Sequence, residues 1–159
     1  MMKAITRWQP WAFAVIYLGK GDGGVENRPR SLGHVGEVAV HVGLNWDEER
    51  VRRDMTRVCT AIRRSRRRGC SWPVGVPLTI DVLRAQLGAI IGAVEIVEWA
   101  RRYLDNPWRM PEDKWCALLR GPQPIARPVP ERTAFHRGIW TVPPDVERQV
   151  RAQLGDPLC

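Results

Sequence analysis

Apolar positions in this chain repeat with two different periods, and the switches between them divide it into strands and helices. Alternating or β-branched apolar stretches predict strands over 3–7, 37–42, 89–97, 114–119 and 138–142. Helical spacing predicts helices over 10–18, 46–67, 78–86 and 144–154. In the first, Trp11, Val15 and Leu18 recur about a turn apart, Pro10 suits a first turn, and Gly19 offers a C-terminal stop. In the second, Val51, Met55, Val58 and Ile62 form an apolar stripe. In the last, Val146, Val150 and Leu154 follow one another every fourth residue and Gly155 ends the run. Strand 89–97 is expected to be buried on both faces, since Ile90, Val94 and Ile96 alternate with Ile91 and Val97. Glu95 is its sole charge and needs a hydrogen bond, a cationic neighbour such as Lys20 or Arg28, or solvent in a cavity.

The stretches 19–24, 69–77, 106–113 and 121–131 are rich in turn residues. They read as connections inside one unit, because neither an internal repeat nor a low-complexity linker separates two cores. Short strands with a few peripheral helices give an α+β class. At 159 residues and 44% apolar, the chain is long enough for one domain with a substantial core and too short for two ordinary ones. Residues 1–159 are therefore read as a single domain with an arginine-rich helical segment at about 46–68. No apolar run reaches the length of a membrane span, and residues 1–9 lack the continuous apolar core of a signal peptide, so a cytoplasmic protein without a membrane partner is expected. Cys59, Cys70, Cys116 and Cys159 form no CxxC pair and have no histidine set beside them. Free thiols are expected, with no metal, no disulfide and no cofactor.

Charge changes the picture more than composition does. The formal charge is +8 and the isoelectric point about 10.2, which suits a polyanionic partner. Nine arginines lie between Arg50 and Arg68, while the acids there are confined to Asp54 and, just before it, Asp47, Glu48 and Glu49. The bland reading is a solvated helix face. The uncompensated distal half favours a phosphate-contacting patch, with Arg57, Arg63, Arg64, Arg66, Arg67 and Arg68 as the candidate backbone contacts. A helix docking on an acidic protein is a further alternative, which would make this an interaction module.

Two clusters bracket the first helix: Trp8-Gln9-Pro10-Trp11 before it and Gly24-Val25-Glu26-Asn27-Arg28 after it. In an extended segment Glu26 and Arg28 project from one face and Asn27 from the other. A carboxylate beside a guanidinium fork suits a nucleobase edge or a phosphate next to a base, although such pairs also occur as plain surface contacts. Trp8 and Trp11 stand beside this lip, where an indole face either stacks on a base or packs across the helix start. Trp99, Trp115 and Trp140 are expected in the core or at a sheet rim. His41 ends an alternating strand on the face opposite Val38, Val40 and Val42, as a structural histidine or as part of a cavity shared with Glu26. The glycine-rich stretch 19–24 lacks the Lys-Ser/Thr ending of a phosphate loop and reads as a flexible loop.

Ala4-Ile5-Thr6-Arg7-Trp8-Gln9-Pro10-Trp11-Ala12, Leu18-Gly19-Lys20 and Val25-Glu26-Asn27-Arg28 together resemble the N-terminal signature of the ASCH family, related to the PUA fold. Gly36-Glu37-Val38-Ala39-Val40-His41 resembles its second strand, Gly88-Ala89-Ile90-Ile91-Gly92-Ala93-Val94-Glu95 its central strand, and His136-Arg137-Gly138-Ile139-Trp140 its closing segment. The resemblance implies a PUA-like small β-barrel with peripheral helices. It implies a binding module for RNA, single-stranded nucleic acid or a modified base, and Trp8, Trp11, Glu26, Arg28 and His41 are the ligand candidates. The family's alternatives are an amidohydrolase acting on a modified nucleoside such as N4-acetylcytidine, or a ribonuclease. Carried over by motif, Lys20 and Glu95 would then be catalytic. Glu26 stands where those hydrolases have a threonine, and Lys20 precedes it by six residues, about twice the family spacing. The longer loop is expected to swing the Lys20 amine away from Glu26.

Overall fold

The structure is a computed structural model that describes residues 1–67, 77–101, 105–132 and 138–155. In chain order its elements are β1 (Lys3–Arg7), α1 (Trp11–Tyr17), β2 (Val25–Arg28), β3 (Gly36–Val42), α2 (Glu48–Arg67), α3 (Ile80–Ala85), β4 (Ala89–Ala100), β5 (Trp115–Pro130), β6 (Ile139–Thr141) and α4 (Pro144–Leu154). The strands make one mixed, curled sheet in the order β2-β5-β4-β3-β1-β6. β1 runs parallel to β3, and every other neighbouring pair is antiparallel.

Three apolar clusters explain the layers. The concave face of the sheet gathers Ile5, Val38, Val40, Val94, Ile96 and Leu119 beneath Ala12, Val15 and Ile16 of α1. The opposite side of α1, with Leu18 just after it, presents Trp11, Phe13 and Ala14 to Val51 and Val58 of α2 and Leu83 of α3. A helix packed on both sides needs an apolar surface all round, which is why α1 carries no charge. On the convex face, Val146 and Val150 of α4 cover Ala4, Ala39, Ile90, Ile125 and Val129. The predicted α2 stripe is confirmed, with Val51 and Val58 buried and Met55 and Ile62 partly so.

The stretch 121–131 departs from the connection that the sequence predicts. Residues 121–130 continue β5 and pair with β4, placing Gln123 opposite Ala93 and Pro130 opposite Ala89. Pro122, Pro124, Pro128 and Pro130 imitate a loop in the sequence. They are tolerated because β2 pairs only with the first part of β5, so this half is a sheet edge, and because register shifts interrupt its ladder with β4. Strand β4 is buried along most of 89–97, as expected.

Gln9 fastens the helical layer. It is 1% exposed, accepts from the Phe13 N–H at 3.1 Å, and donates to the Leu83 carbonyl and the Gln86 side chain at 3.3 and 3.1 Å. α1 and α3 are thereby joined through one satisfied amide.

Candidate functional site

Arg7 ends β1 two residues after the inward-facing Ile5, so its side chain points to the concave side. Glu26 and Arg28 share a face of β2 with it. Asn27 points the other way, where it donates to the Trp108 carbonyl at 2.8 Å and accepts from the Met110 N–H at 2.9 Å. Glu26 Oε1 lies 2.7 Å from Arg7 Nε and 3.2 Å from Arg28 Nε, and Glu26 Oε2 accepts from Lys20 Nζ at 2.7 Å. Arg28 also donates to the Thr6 carbonyl at 3.0 Å, tying β2 to β1 across the curl. Lys20 Nζ sits 5.1 Å from the centre of the Trp11 ring. The Trp11 indole N–H in turn donates to Asp54 of α2 at 3.1 Å.

The loop delivers Lys20 to this cluster instead of swinging it away. Lys20 and Gly21 donate backbone N–H groups to the Ala14 and Val15 carbonyls, and Gly23 and Gly24 bond to Leu119 of β5. A Cβ at Gly21 would collide with the Val15 carbonyl and one at Gly24 with the Lys20 carbonyl, so the chain folds this tightly only with glycine there. Loop 19–24 is therefore pinned at both ends, contrary to the flexible reading. The extra residues are used in bending, so the sequence separation of Lys20 and Glu26 overstates their distance.

The charge set is unequal. Burial alone would raise the Glu26 carboxyl, but Arg7, Lys20 and Arg28 together outweigh it and hold it at about 2. Burial lowers the Lys20 ammonium, with Arg7 and Arg28 acting the same way and Glu26 opposing them. Asp113, half-buried in the turn before β5, is close enough for Arg7 and Arg28 to feel its charge, and burial raises its carboxyl. Glu26 and Arg7 border a cavity whose other walls are apolar, among them Ile5, Val15, Val38, Val94 and Leu119. Its free space is about 10 Å³, roughly what one water needs. The exposure of the charged groups divides them: the Lys20 side chain is 0% exposed and that of Glu26 3%, against 21% for Arg7 and 16% for Arg28.

Of the residues singled out from the sequence, Trp11, Lys20, Glu26 and Arg28 converge. Two others do not. His41 lies on the other face of the sheet, between Thr6 Oγ1 at 3.1 Å and the Glu131 carbonyl at 2.9 Å, with Trp140 edge-on to its ring. Glu95 pairs with Arg120 at 2.8 Å on an exposed surface and contacts neither Lys20 nor Arg28. Strand alternation explains both, because His41 and Glu95 stand out of phase with the inward Val40, Val94 and Ile96. Trp8 is 46% exposed, with the Arg50 guanidinium stacked 4.1 Å from its ring centre. On α2, Arg63, Arg64 and Arg66 are exposed, and Arg57 lies 3.5 Å from Glu112. Arg68 and the side chain of Arg67 fall outside the described residues, as do Cys70, Cys159, His136 and Arg137. Arg7 and Asp113 were not singled out. Arg7 had a signal in the i, i+2 phase it shares with Ile5, whereas Asp113 has none, because only the β2·β5 pairing carries it toward Arg28.

A curled six-stranded mixed sheet with α1 in its concavity and α4 on its back has a structural counterpart in a point mutant of ZmASCH from Zymomonas mobilis, at a TM-score of 0.51 and 16% identity, over 95% of this chain and 96% of that one. This chain has the ASCH fold. No protein-family model matches its sequence, and no curated protein does. Within the ASCH fold, the Lys20, Glu26 and Arg28 cluster lies where the first helix meets the sheet edge. No helix among the described residues is long and apolar enough to cross a membrane.

Proposed function

We propose that this ASCH-fold protein binds nucleic acid, as a reader of RNA or of a modified base, with the base or its neighbouring phosphate taken at the Arg7 and Arg28 rim and the backbone held by the arginines of α2. The observation that carries this reading is the split in accessibility. Three cations surround one carboxylate, and the two that reach solvent are the arginines, whose planar forks fit a phosphate or the acceptor edge of a base. Lys20 is closed off beneath them, where it balances Glu26 and keeps both forks in register. Exposed Arg63, Arg64 and Arg66 extend the positive surface along α2.

Fluorescence anisotropy with short single-stranded RNAs of different sequence tests the rim. Arg28→Lys keeps the charge and loses the fork, so it should cost about 1 to 3 kcal/mol of discrimination between sequences. Equal discrimination by the variant would remove Arg28 from recognition.

A second reading has one observation behind it. A desolvated Lys20 with a lowered proton affinity, 2.7 Å from a carboxylate, is also how a reactive amine is held. Its enclosure argues against substrate access, and the reader predicts that N4-acetylcytidine is left intact. Deacetylation that disappears in Lys20→Ala would establish the hydrolase instead.

A further inference from the structure

Two arginine–tryptophan stacks flank the start of α2, and they differ in one respect. Arg84 lies 5.0 Å from the Trp46 ring and its guanidinium is paired with Glu48 at 2.7 Å. Arg50 lies closer to its own ring, 4.1 Å above Trp8, yet its Nε and Nη2 are enclosed without a hydrogen-bond partner among the described residues. Enclosed unpaired donors on a cation are costly, and native structures rarely keep them without a use. Trp8 is equally unusual as one of the few large apolar side chains left exposed among the described residues. Its seat depends on Gly43, where a Cβ would come within 3.0 Å of the indole Cδ1. The ring therefore packs closely on Gly43 while the group lying on it is poorly satisfied.

We propose that Trp8 and Arg50 form a second nucleotide site, in which an unpaired base takes the place of the guanidinium on the Trp8 ring and the released Arg50 donates to the adjoining phosphate. Base and guanidinium compete for the same aromatic face, since both stack on it. The exchange leaves the ring covered and gives the Arg50 fork the acceptors it lacks in the free protein. Trp8 directly follows Arg7, so the two sites are joined by one peptide bond at the end of β1. The proposal rests on the nucleic-acid reading of the rim and adds to it a stacking position and a minimum ligand of two nucleotides.

Trp8→Ala, Trp8→Phe, Arg50→Lys and Arg28→Lys, each checked for an unchanged thermal transition, would be titrated with a short single-stranded RNA. Trp8→Ala should weaken binding about 5- to 150-fold, the span of one lost stacking contact. Trp8→Phe should recover most of that loss, and Arg50→Lys should bind more weakly than the parent because it cannot offer a fork. Parent-like affinity in either Trp8→Ala or Arg50→Lys overturns the second site. If Arg28→Lys still loses discrimination in that case, the rim reading stands without it. A parent protein that binds no RNA overturns both.

Discussion

Arg7 Nε lies 2.7 Å from Glu26 Oε1 although their strands are four places apart in the sheet. With neighbouring strands about 4.8 Å apart, a flat sheet would hold β1 and β2 about 19 Å apart. The contact therefore records the curl of the sheet, and two long side chains close the remaining gap at its mouth. Because Glu26 Oε1 meets Arg28 as well and Oε2 meets Lys20, one carboxylate organises three cations contributed by β1, β2 and the loop between α1 and β2.

That asymmetry makes the two ends of the Lys20–Glu26 pair unequal in stability. Glu26→Gln leaves three cations facing one another in a largely buried space and should destabilise the fold by about 3 to 5 kcal/mol. Lys20→Met leaves Glu26 with both arginines and should cost distinctly less. Urea unfolding of the two variants gives the comparison, and equal losses would contradict the central role of Glu26.

Acid should unfold the protein partly through the same carboxylate. Glu26 titrates near 4.5 when unfolded and is held at about 2 in the fold by Arg7, Lys20 and Arg28. A lowered carboxylate stabilises the fold above the unfolded value and loses that contribution as pH falls toward the folded one, here about 3 kcal/mol between roughly pH 5 and 2. Asp113, whose carboxyl is raised by burial, runs the other way and softens the loss. Unfolding free energies measured across this range should decline more steeply in the parent than in Glu26→Gln.

Gly24→Ala tests how Lys20 reaches the cluster. The new methyl group would meet the Lys20 carbonyl and approach Trp108 Cδ1 to 2.9 Å, so loop 19–24 must shift. Overpacking of this kind costs about 1 to 3 kcal/mol. Lys20 should also become open to amine-modifying reagents, against which it is shielded in the parent at 0% exposure. Mass mapping of the modified lysines reads the result.

The arginines of α2 should act without regard to sequence. Replacing Arg63, Arg64 and Arg66 together with glutamine should weaken binding to all RNAs alike and flatten the plot of log K against log salt by about 2 to 3 units. An unchanged slope would assign this face to solubility or to a protein partner.

Much of the fold could be read along the chain because it depends on short-range periodicity. β1, β3, α1, α2 and α4 lie within about two residues of their predicted bounds. The second half of β5 was missed because its prolines report local backbone preference, whereas the edge position that accommodates them depends on where β2 stops. For Glu26 and Arg28, the i, i+2 spacing was sufficient to put both on one face. It could not supply Arg7, which joins them only when the sheet curls.

What the sequence determined by itself is thus the four helices and most of the strands, the apolar faces of its helices, the arginine surface of α2 and the alternation that pairs Glu26 with Arg28, all consequences of spacing within a single element. The tertiary structure alone decided that Lys20 is buried against Glu26, that Arg7 completes the cluster and that Arg50 covers Trp8. Each of these depends on how far the sheet curls or on how a glycine loop folds back over β5, and such closure is a property of packing between distant segments that no local pattern encodes.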